Sequence, residues 1–540
     1  MADLERLNLL IVESNQGMRS QLRSMLNSFG IANVKFAPSA GAAISRLRDR
    51  RYDVILSEYS LGDGQDGQHL LEDLRNNEII PLDTLFIMIT GERNYERVIS
   101  AAELAPNDYI LKPLTPDMLH MRLLRALEKR ETFLPVYRLI EAGETQRAIE
   151  ACTARADTHP RYRIDFLRLE AELHAALGHS EQAEVIYREI LAAKVVPWAR
   201  LGLAKMLFAK KDYAAAEEIL SALVAENSRY IDAYDWLART REETGRIEEA
   251  RDVLTSAVAL SPHRLGRLRH LGSVQLAAGD APAAERTLAE VVRKGKYSDF
   301  RNPEDHVTLV RAQLSQGRTE EAQATIRDLE ASMGGMATTP VCTSLSKALY
   351  HTSTGAAELA QAALQNALQA GAALSSLSTD MKQELVKACL DNHMEAEGSQ
   401  LVIDILRNAA DERTVEKTRA ILQERGHGDL SNELEERVHV EVRGLITAGA
   451  DMVKAGDFDG AVREMMAAVQ KMPGNPHVLF NAALALLRHI ENRGWNERLA
   501  AQARGLIART RRLDPSNPRL DALSGFMQQL VRKYNPRQES

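Results

Sequence analysis

The chain has 540 residues, of which 45% are hydrophobic and 26% charged, and its 68 basic and 75 acidic side chains give a net charge of -7. This balance excludes a protein generally adapted to polyanions, and we expect no nucleic-acid partner. Since a single hydrophobic core stops growing at roughly 250 to 300 residues, the chain must contain several modules or an array of repeats.

The cysteines and the N-terminal residues indicate the cellular compartment. Cys152, Cys342 and Cys389 are far apart and odd in number, which predicts neither a disulfide framework nor a paired-cysteine metal site. The first residues lack a basic region followed by an apolar stretch, and no run of about eighteen apolar residues occurs. We therefore expect a cytoplasmic protein without membrane insertion.

The first 130 residues alternate short apolar runs with segments of helical periodicity. The apolar runs lie at residues 7–12, 34–37, 54–56, 85–89 and 109–111. Such runs are typical of strands that are buried on both faces of a parallel sheet. Five strands alternating with helices predict an α/β doubly wound domain with a five-stranded parallel sheet over residues 1–130.

Polar residues follow four of these apolar runs. Glu13 and Ser14 follow the first run, Glu58 the third, Thr90 the fourth and Lys112 the fifth. In doubly wound sheets ligands bind outside the carboxyl ends of the strands. These five residues are therefore the candidate site of the domain.

This set of residues, in this order, resembles the flavodoxin-like receiver domain of bacterial two-component response regulators over residues 7–130. In that family an acidic pair helps to hold Mg²⁺, an aspartate accepts a phosphoryl group, and a threonine or serine and a lysine contact that group. The resemblance assigns the phosphate contacts to Thr90 and Lys112, with a Lys-Pro turn, usually cis, after Lys112. It assigns the aromatic switch position to Tyr109, and the loop at residues 61–67 also matches.

The chain departs from the family at the reacting groups. Glu58 stands at the phosphate-accepting position, and Ser14 stands where the second acidic residue is expected. Since Mg²⁺ prefers carboxylate and water oxygens in octahedral geometry, Glu13 and Glu58 predict at most a weak Mg²⁺ site, and we expect no other cofactor. The Glu58 carboxylate reaches about 1.5 Å further than that of aspartate, one C–C bond length, and we expect it to pair with Lys112.

Three interpretations of Glu58 stay open. Its charge mimics the phosphorylated state without a kinase or a metal, or the site has decayed into a docking module with no such bias. Both interpretations make the domain a pseudo-receiver without conventional phosphotransfer. In the third interpretation Glu58 itself accepts a phosphoryl group slowly.

From about residue 131 the sequence becomes rich in alanine and leucine and repeats itself. Alanines in a similar frame recur with separations of 35, 33, 34 and 34 residues, at Ala148, Ala183, Ala216, Ala250 and Ala284. This period resembles that of tetratricopeptide repeats, whose helical hairpins stack into a superhelical solenoid because one hairpin cannot bury its own apolar face. The resemblance predicts an all-α array of about nine or ten hairpins over residues 131–534 with a C-terminal capping helix, and a tail at 535–540.

Two stretches of the array are irregular. The pattern is weak at residues 408–440, and residues 488–499, which contain Trp495, are interpreted as an insertion. No Gly/Ser-rich or Pro-rich linker separates the array from the first domain, which predicts that the two modules are tightly coupled.

The array is expected to bind a protein partner. In the tetratricopeptide family the first helix of each hairpin lines the concave groove, and by this resemblance the inner residues include Asp235, Arg239, Glu242, Arg269 and Arg311. Their mixed charge selects no single ligand, so we expect a generic peptide or helix in the groove. For each of these residues a solvated surface position is the alternative.

The sequence contains no signature of an enzymatic output, so we predict a two-component signalling adaptor and not an enzyme. A sensor histidine kinase or a sibling response regulator is the expected partner of the first domain, and a further protein that of the solenoid; dimerisation stays open. The alternatives are a response regulator that is phosphorylated on Glu58 and a transcriptional regulator. The acidic net charge and the lack of a basic recognition helix disfavour the transcriptional regulator.

Overall fold

The structure is a computed structural model that describes residues 4–61, 67–91, 106–228, 230–262, 264–296, 301–514, 517 and 519–534, with only the backbone of residues 69 and 76. The chain divides into two compact units. The first unit contains Met1–Ala175 and Ser180–Arg301, and the second contains Asn302–Ser540 with the short segment Ala176–His179. Among the described helices, none is long and apolar enough to cross a membrane.

The first unit begins with a parallel sheet of five strands in the order β2-β1-β3-β4-β5. The strands are β1 (Leu9–Val12), β2 (Val34–Ala37), β3 (Val54–Glu58), β4 (Leu85–Thr90) and β5 (Asp108–Leu111). Every residue of β1, β3 and β4 is buried, as expected for strands that are covered on both faces. The predicted α/β fold with a five-stranded parallel sheet is confirmed.

Helices cover both faces of this sheet, namely α1 (Gln16–Ser28) and α4 (Pro116–Glu141) on one face and α2 (Ala40–Asp49) and α3 (Gly67–Asn76) on the other. Successive strand residues point to opposite faces, so each face has its own core. Leu9 and Ile11 pack with α1 and α4, whereas Leu10 and Val12 pack with α2 and α3. The predicted loop at 61–67 lies outside the described residues except for its two ends.

Helix α4 continues from the sheet into the helical region without a break. Its first half buries Leu119 and Leu123 against the sheet. Its second half buries Phe133, whose ring stacks on Phe166 with 4.0 Å between the ring centroids. The predicted domain boundary at residue 130 therefore falls inside one helix, which the sheet domain and the first hairpin share.

The remainder of the first unit consists of paired helices. These are α5 (Thr145–Thr158), α6 (Arg163–Ala176), α7 (Ser180–Ala193), α8 (Pro197–Ala209), α9 (Tyr213–Glu226), α10 (Ile231–Glu243), α11 (Ile247–Leu260), α12 (Leu265–Ala277) and α13 (Ala281–Gly295). The repeating alanines, from Ala148 to Ala284, are all fully buried, because a larger side chain there would hold the two helices of a hairpin apart. Gly245 and Gly279 follow helix ends with φ of 76°, the left-handed conformation that glycine adopts without strain.

The second unit is also helical. Its helices are α14 (Glu304–Leu314), α15 (Thr319–Met333), α16 (Thr339–Ser353), α17 (Ala357–Leu368), α18 (Ala372–Ser375), α19 (Thr379–Asp391), α20 (Glu395–Arg407), α21 (Glu412–Glu424), α22 (Gly428–Lys454), α23 (Phe458–Lys471), α24 (Pro476–Arg493), α25 (Glu497–Leu513) and α26 (Leu520–Tyr534). One hydrophobic core extends through this unit from Val307 to Leu530. Residues 408–440, where the repeat pattern is weak, lie mostly in α21 and the 27-residue helix α22.

The additional residues that the sequence indicates at 488–499 lie mostly in helices. Helix α24 extends to Arg493 and α25 begins at Glu497, so the additional residues lengthen both helices of one hairpin. Trp495 lies in the turn between them, where its indole N–H donates a hydrogen bond of 3.0 Å to Glu497. The repeat period alone does not show whether additional residues lengthen the helices or form a loop, because both change the spacing of the repeat in the same way.

Gly67 offers a test of how β3 and α3 are held together. A Cβ atom at this position would lie 2.4 Å from the carbonyl oxygen of Glu58 and 3.0 Å from the Ser57 hydroxyl. We expect Gly67→Ala to destabilise the sheet domain by about 1–3 kcal/mol through this overlap. Urea-dependent hydrogen exchange of the β3 amides measures this free energy.

The matched control is Gly41→Ala in α2, where a Cβ atom would meet nothing within 4 Å. Because alanine has a higher helix propensity than glycine, the free energy of unfolding of this variant is expected to rise by up to about 1 kcal/mol. Equal stability of Gly67→Ala and the wild type would contradict the close approach of α3 to the end of β3.

Candidate functional site

The carboxyl ends of four strands meet at one edge of the sheet. Glu13 follows β1, Glu58 and Thr90 are the last residues of β3 and β4, and Lys112 follows β5. These four residues line a cleft of about 370 Å³, together with Tyr59, Ser60 and Gly91. The structure thus brings together the four residues that the sequence placed at the ends of different strands.

Lys112 forms ion pairs with two carboxylates in this cleft. Its ammonium group contacts the Glu58 carboxylate through Oε2 and lies 3.5 Å from Oε2 of Glu13. The backbone N–H of Lys112 donates a hydrogen bond of 2.8 Å to the carbonyl of Thr90, and the peptide bond to Pro113 is cis, as the resemblance implies. Glu13 and Glu58 are buried. The ion pair expected from the longer glutamate side chain is therefore present.

The second oxygen of the Glu58 carboxylate is also engaged. Oε1 accepts hydrogen bonds from the backbone N–H groups of Tyr59, at 2.9 Å, and Ser60, at 3.3 Å. Backbone N–H groups and a lysine are the donors that hold anions in proteins. The Glu58 carboxylate is therefore held by the kinds of donor that bind anions.

Ser14 and Tyr109 do not line the cleft. Ser14 is exposed, and its carbonyl accepts a hydrogen bond of 2.8 Å from Arg19. Tyr109 is half-buried and packs against the core between the sheet and helices α2 and α3. The second acidic position of the family thus carries no carboxylate, and the aromatic side chain lies beside the cleft.

The cleft does not fit Mg²⁺. It contains two carboxylates, Glu13 and Glu58, and the ammonium group of Lys112 already lies between them. A divalent cation at this point would be repelled by the ammonium group at close range. Within the described part of the chain, no cluster of three or more His, Cys, Asp or Glu side chains has the geometry to hold a metal ion.

Two of the predicted groove residues are carboxylates that contact the neighbouring hairpin. Asp235 on α10 accepts two hydrogen bonds of 2.8 Å from the guanidinium group of Arg267 on α12. Glu242, also on α10, lies 2.6 Å from Nε2 of His270 on α12. These two carboxylates tie adjacent first helices of the array together.

The other three predicted groove residues are arginines. Arg239 is exposed, and its guanidinium group lies 4.9 Å from the centre of the Trp236 ring. Arg269 is half-buried on α12. Arg311 belongs to the second unit, where its Nε lies 3.0 Å from the Glu384 carboxylate.

The sheet domain contacts the repeats at a point that the sequence does not predict. In the first unit, the Nε of Arg264 lies 3.5 Å from the carboxylate of Glu72 on α3. Arg264 also lies 3.5 Å from the carboxylates of Asp232 and Asp235. No local pattern in the sequence indicates this contact, because it joins residues almost two hundred positions apart.

The same contact region encloses a cavity of about 770 Å³. Its walls come from the sheet domain, including Arg75 of α3, from α4, and from the first helices α6, α8 and α10 of three hairpins. Burial is the main cause that lowers the pKa of Arg75, whose guanidinium donates hydrogen bonds to the carbonyls of Pro81 and Thr84. Burial likewise raises the pKa of Tyr137, on α4, to about 12.

Comparison with known proteins matches both modules. Residues 9–124 match the family model of the response regulator receiver domain, and residues 168–231 and 306–328 match models of the tetratricopeptide repeat. Chemotaxis protein CheY-3 of Vibrio cholerae is 28% identical over 125 residues, which cover 23% of this chain and 95% of that protein. Chemotaxis protein CheY of Pseudomonas aeruginosa is 25% identical over 123 residues, which cover 23% and 98% of the two chains.

A solved structure is similar to part of the helical region. The C-terminal part of a TPR repeat-containing protein from Cytophaga hutchinsonii is 14% identical, with a TM-score of 0.36. The similarity covers 46% of this chain and 99% of that one.

Lys205 in the cavity provides a stability test. Burial lowers its pKa to about 8, and the charges of Glu172, Arg168, Arg239 and Asp235 act on it as well. Because the folded state disfavours the ammonium group, Lys205→Met is expected to stabilise the protein by about 1–3 kcal/mol at pH 7. Between the folded pKa of about 8 and the ordinary value of 10.5, the unfolded chain binds more protons than the folded chain. The free energy of unfolding of the wild type therefore rises with pH in this range, and the stability gained by Lys205→Met becomes smaller. Urea unfolding of the full chain at pH 7 and pH 10 measures both effects.

Lys210→Met on the same segment is the control, because Lys210 is exposed and lies 2.9 Å from the Glu184 carboxylate. It is expected to give no gain in stability. A Lys205→Met variant that is no more stable than the wild type at pH 7 would show that the ammonium group is adequately solvated in the cavity.

Proposed function

Because this chain joins a response regulator receiver domain to tetratricopeptide repeats, we propose that it is a two-component signalling adaptor whose receiver domain acts without conventional phosphorylation. Receiver domains and tetratricopeptide repeats are signalling and protein-interaction modules. The repeats then bind a protein partner, and the receiver domain contributes a fixed regulatory surface.

The ion pairs of Lys112 with Glu58 and Glu13 carry this proposal. Phosphorylation acts by adding negative charge and hydrogen-bond acceptors at one point of a domain. Here the Glu58 carboxylate supplies a negative charge and acceptor oxygens next to Lys112 from the chain itself. This arrangement supports charge mimicry, because the carboxylate lies against Lys112, the residue that contacts the phosphoryl group in receiver domains.

The same geometry opposes phosphoryl transfer to Glu58. The Glu58 carboxylate is held by Lys112, Tyr59 and Ser60, and these contacts would have to rearrange before one of its oxygens could attack a phosphoryl donor. An added phosphoryl group would bring a charge of about -1.5 to -2 close to Glu13 without a metal ion to offset the repulsion. The cleft therefore favours the charge-paired state over an acyl phosphate.

Helix α3 offers a route from the cleft to the repeats. Its first residue, Gly67, donates a backbone hydrogen bond of 2.7 Å to Tyr59, the residue after Glu58. Farther along the same helix, Glu72 contacts Arg264 of the repeat array. A helix that is anchored at the cleft and contacts the repeats transmits the state of the cleft to the partner-binding module.

The partners follow from the module types. A sensor histidine kinase or a sibling response regulator is the proposed partner of the receiver domain, and a peptide or helix of another protein is the proposed partner of the repeats. Since residues such as Asp235 and Glu242 are engaged by the next hairpin, the partner would contact the groove as a whole and not single charged residues.

Phosphorylation from a small donor tests the proposal. We expect the wild-type chain, incubated with acetyl phosphate and Mg²⁺, to gain no phosphoryl group by intact mass. The double variant with Ser14→Asp and Glu58→Asp regains the second acidic residue and a shorter acceptor, and we expect it to gain one phosphoryl group in a Mg²⁺-dependent manner. Glu58→Asp alone should gain less, because Ser14 still weakens the metal site.

A phosphoryl group on the wild-type chain that disappears in Glu58→Gln would instead support a response regulator that is phosphorylated on Glu58. Failure of the double variant to react, although it folds like the wild type, would contradict the proposal that Glu58 and Ser14 are what prevent phosphorylation, because other features of the domain would then prevent it as well.

A further inference from the structure

We propose that the cavity between the receiver domain and the first repeats binds a small aromatic organic phosphate, of which nucleotides are the common cellular type. This site lies apart from the Glu58 cleft and stands on different residues. The proposal goes beyond the adaptor function, because it adds a small-molecule ligand to a protein built from interaction modules.

The size of the cavity favours a small molecule. Ligand sites for small molecules have volumes of about 300–1,000 Å³, and this cavity has about 770 Å³. An α-helix with its side chains is about 10–12 Å wide and rises 5.4 Å per turn, so the same volume would hold roughly two turns at most. The volume therefore suits a small molecule better than a helix of several turns.

The charged lining favours an anion. Among the described residues, six cationic side chains and four carboxylates line the cavity, which is an excess of two positive charges. The carboxylates are engaged by cations of the same lining, in the pairs Asp165 with Lys129, Glu172 with Arg168, and Asp232 and Asp235 with Arg264. A phosphate monoester carries a charge of about -1.5 to -2 at pH 7, which matches the excess.

Two of the remaining cations have an aromatic ring in place of an anionic partner. The ammonium group of Lys205 and the guanidinium group of Arg239 lie 5.5 Å and 4.9 Å from the centre of the Trp236 ring. No carboxylate of the described residues lies within ion-pair distance of either group. Contact with a ring contributes only about 0.5–2 kcal/mol and leaves the charge in place. Both groups therefore keep a positive charge that can pair with an anion.

A third cation comes from the receiver domain. The guanidinium group of Arg75 donates to two carbonyl oxygens, which fix its position without neutralising its charge. Arginine and lysine are the side chains that proteins use for phosphate groups. Lys205 and Arg239, which lie beside the same tryptophan ring, would contact the phosphate, and Arg75 adds a positive charge of the receiver domain to the wall of the same cavity.

The rest of the lining suits an aromatic body. Phe133, Tyr137, Tyr187 and Trp198 all contribute to the cavity wall. Aromatic side chains bury large apolar surfaces and pack well against flat rings. A ligand with a phosphate at one end and a flat ring at the other would satisfy both parts of the wall.

Titration calorimetry on the full chain at neutral pH tests the proposal with AMP, GMP, adenosine, inorganic phosphate and citrate as probes. We expect AMP or GMP to bind, and adenosine and inorganic phosphate each to bind at least about tenfold more weakly, since each lacks one part of the ligand. Lys205→Gln and Arg239→Gln are each expected to weaken nucleotide binding about tenfold. Lys210→Gln outside the cavity is the control and should bind like the wild type.

Thermal unfolding without ligand establishes that the variants are folded, and the same concentration of nucleotide should raise the melting temperature of the wild type more than that of Arg239→Gln. The proposal is wrong if neither AMP nor GMP binds at millimolar concentration. It is also wrong if the cavity variants bind as well as the wild type. Equal binding of adenosine would show that the phosphate is not recognised, and tighter binding of citrate would assign the cavity to carboxylate anions.

Discussion

The ammonium group of Lys112, held by the carboxylates of Glu58 and Glu13, is the interaction on which the rest of the receiver domain depends. It joins the ends of β1 and β3 to the residue that follows β5, at the edge where ligands of such sheets bind. One additional methylene at position 58 brings the carboxylate to the lysine. The cleft thus contains a carboxylate of the chain itself beside Lys112.

Two helices that leave this edge also reach the repeats. Helix α3 contacts Arg264 through Glu72, and α4 buries Phe133 against the first hairpins. Burial, followed by the charges of Glu72 and Asp235, raises the pKa of Asp232 on α10 to about 6. The electrostatic field of the receiver domain therefore extends into the repeat array, and the cavity between them carries charges from both modules.

The sequence predicts what depends on local patterns. Buried strands have continuous apolar runs, the repeating alanines mark close helix packing, and the fold family places Glu58 opposite Lys112 at a known edge. The partners of Asp235 and Glu242 are not predictable in this way, because a helical face does not reveal that Arg267 and His270 of the next hairpin engage them. The cavity is likewise invisible, since its wall combines residues from distant parts of the chain.

Hydrogen-exchange mass spectrometry of the wild type and Glu58→Gln tests most directly whether the Glu58 charge fixes the receiver domain and its contact with the repeats. Removal of the charge at constant size is expected to speed exchange at the end of β3, in the turn after β5, in α3 and at the start of α12, which follows Arg264. Asp49→Asn, at an exposed carboxylate of α2, should exchange like the wild type. Unchanged exchange in Glu58→Gln at all of these segments would contradict a receiver domain that is held in place by its own glutamate.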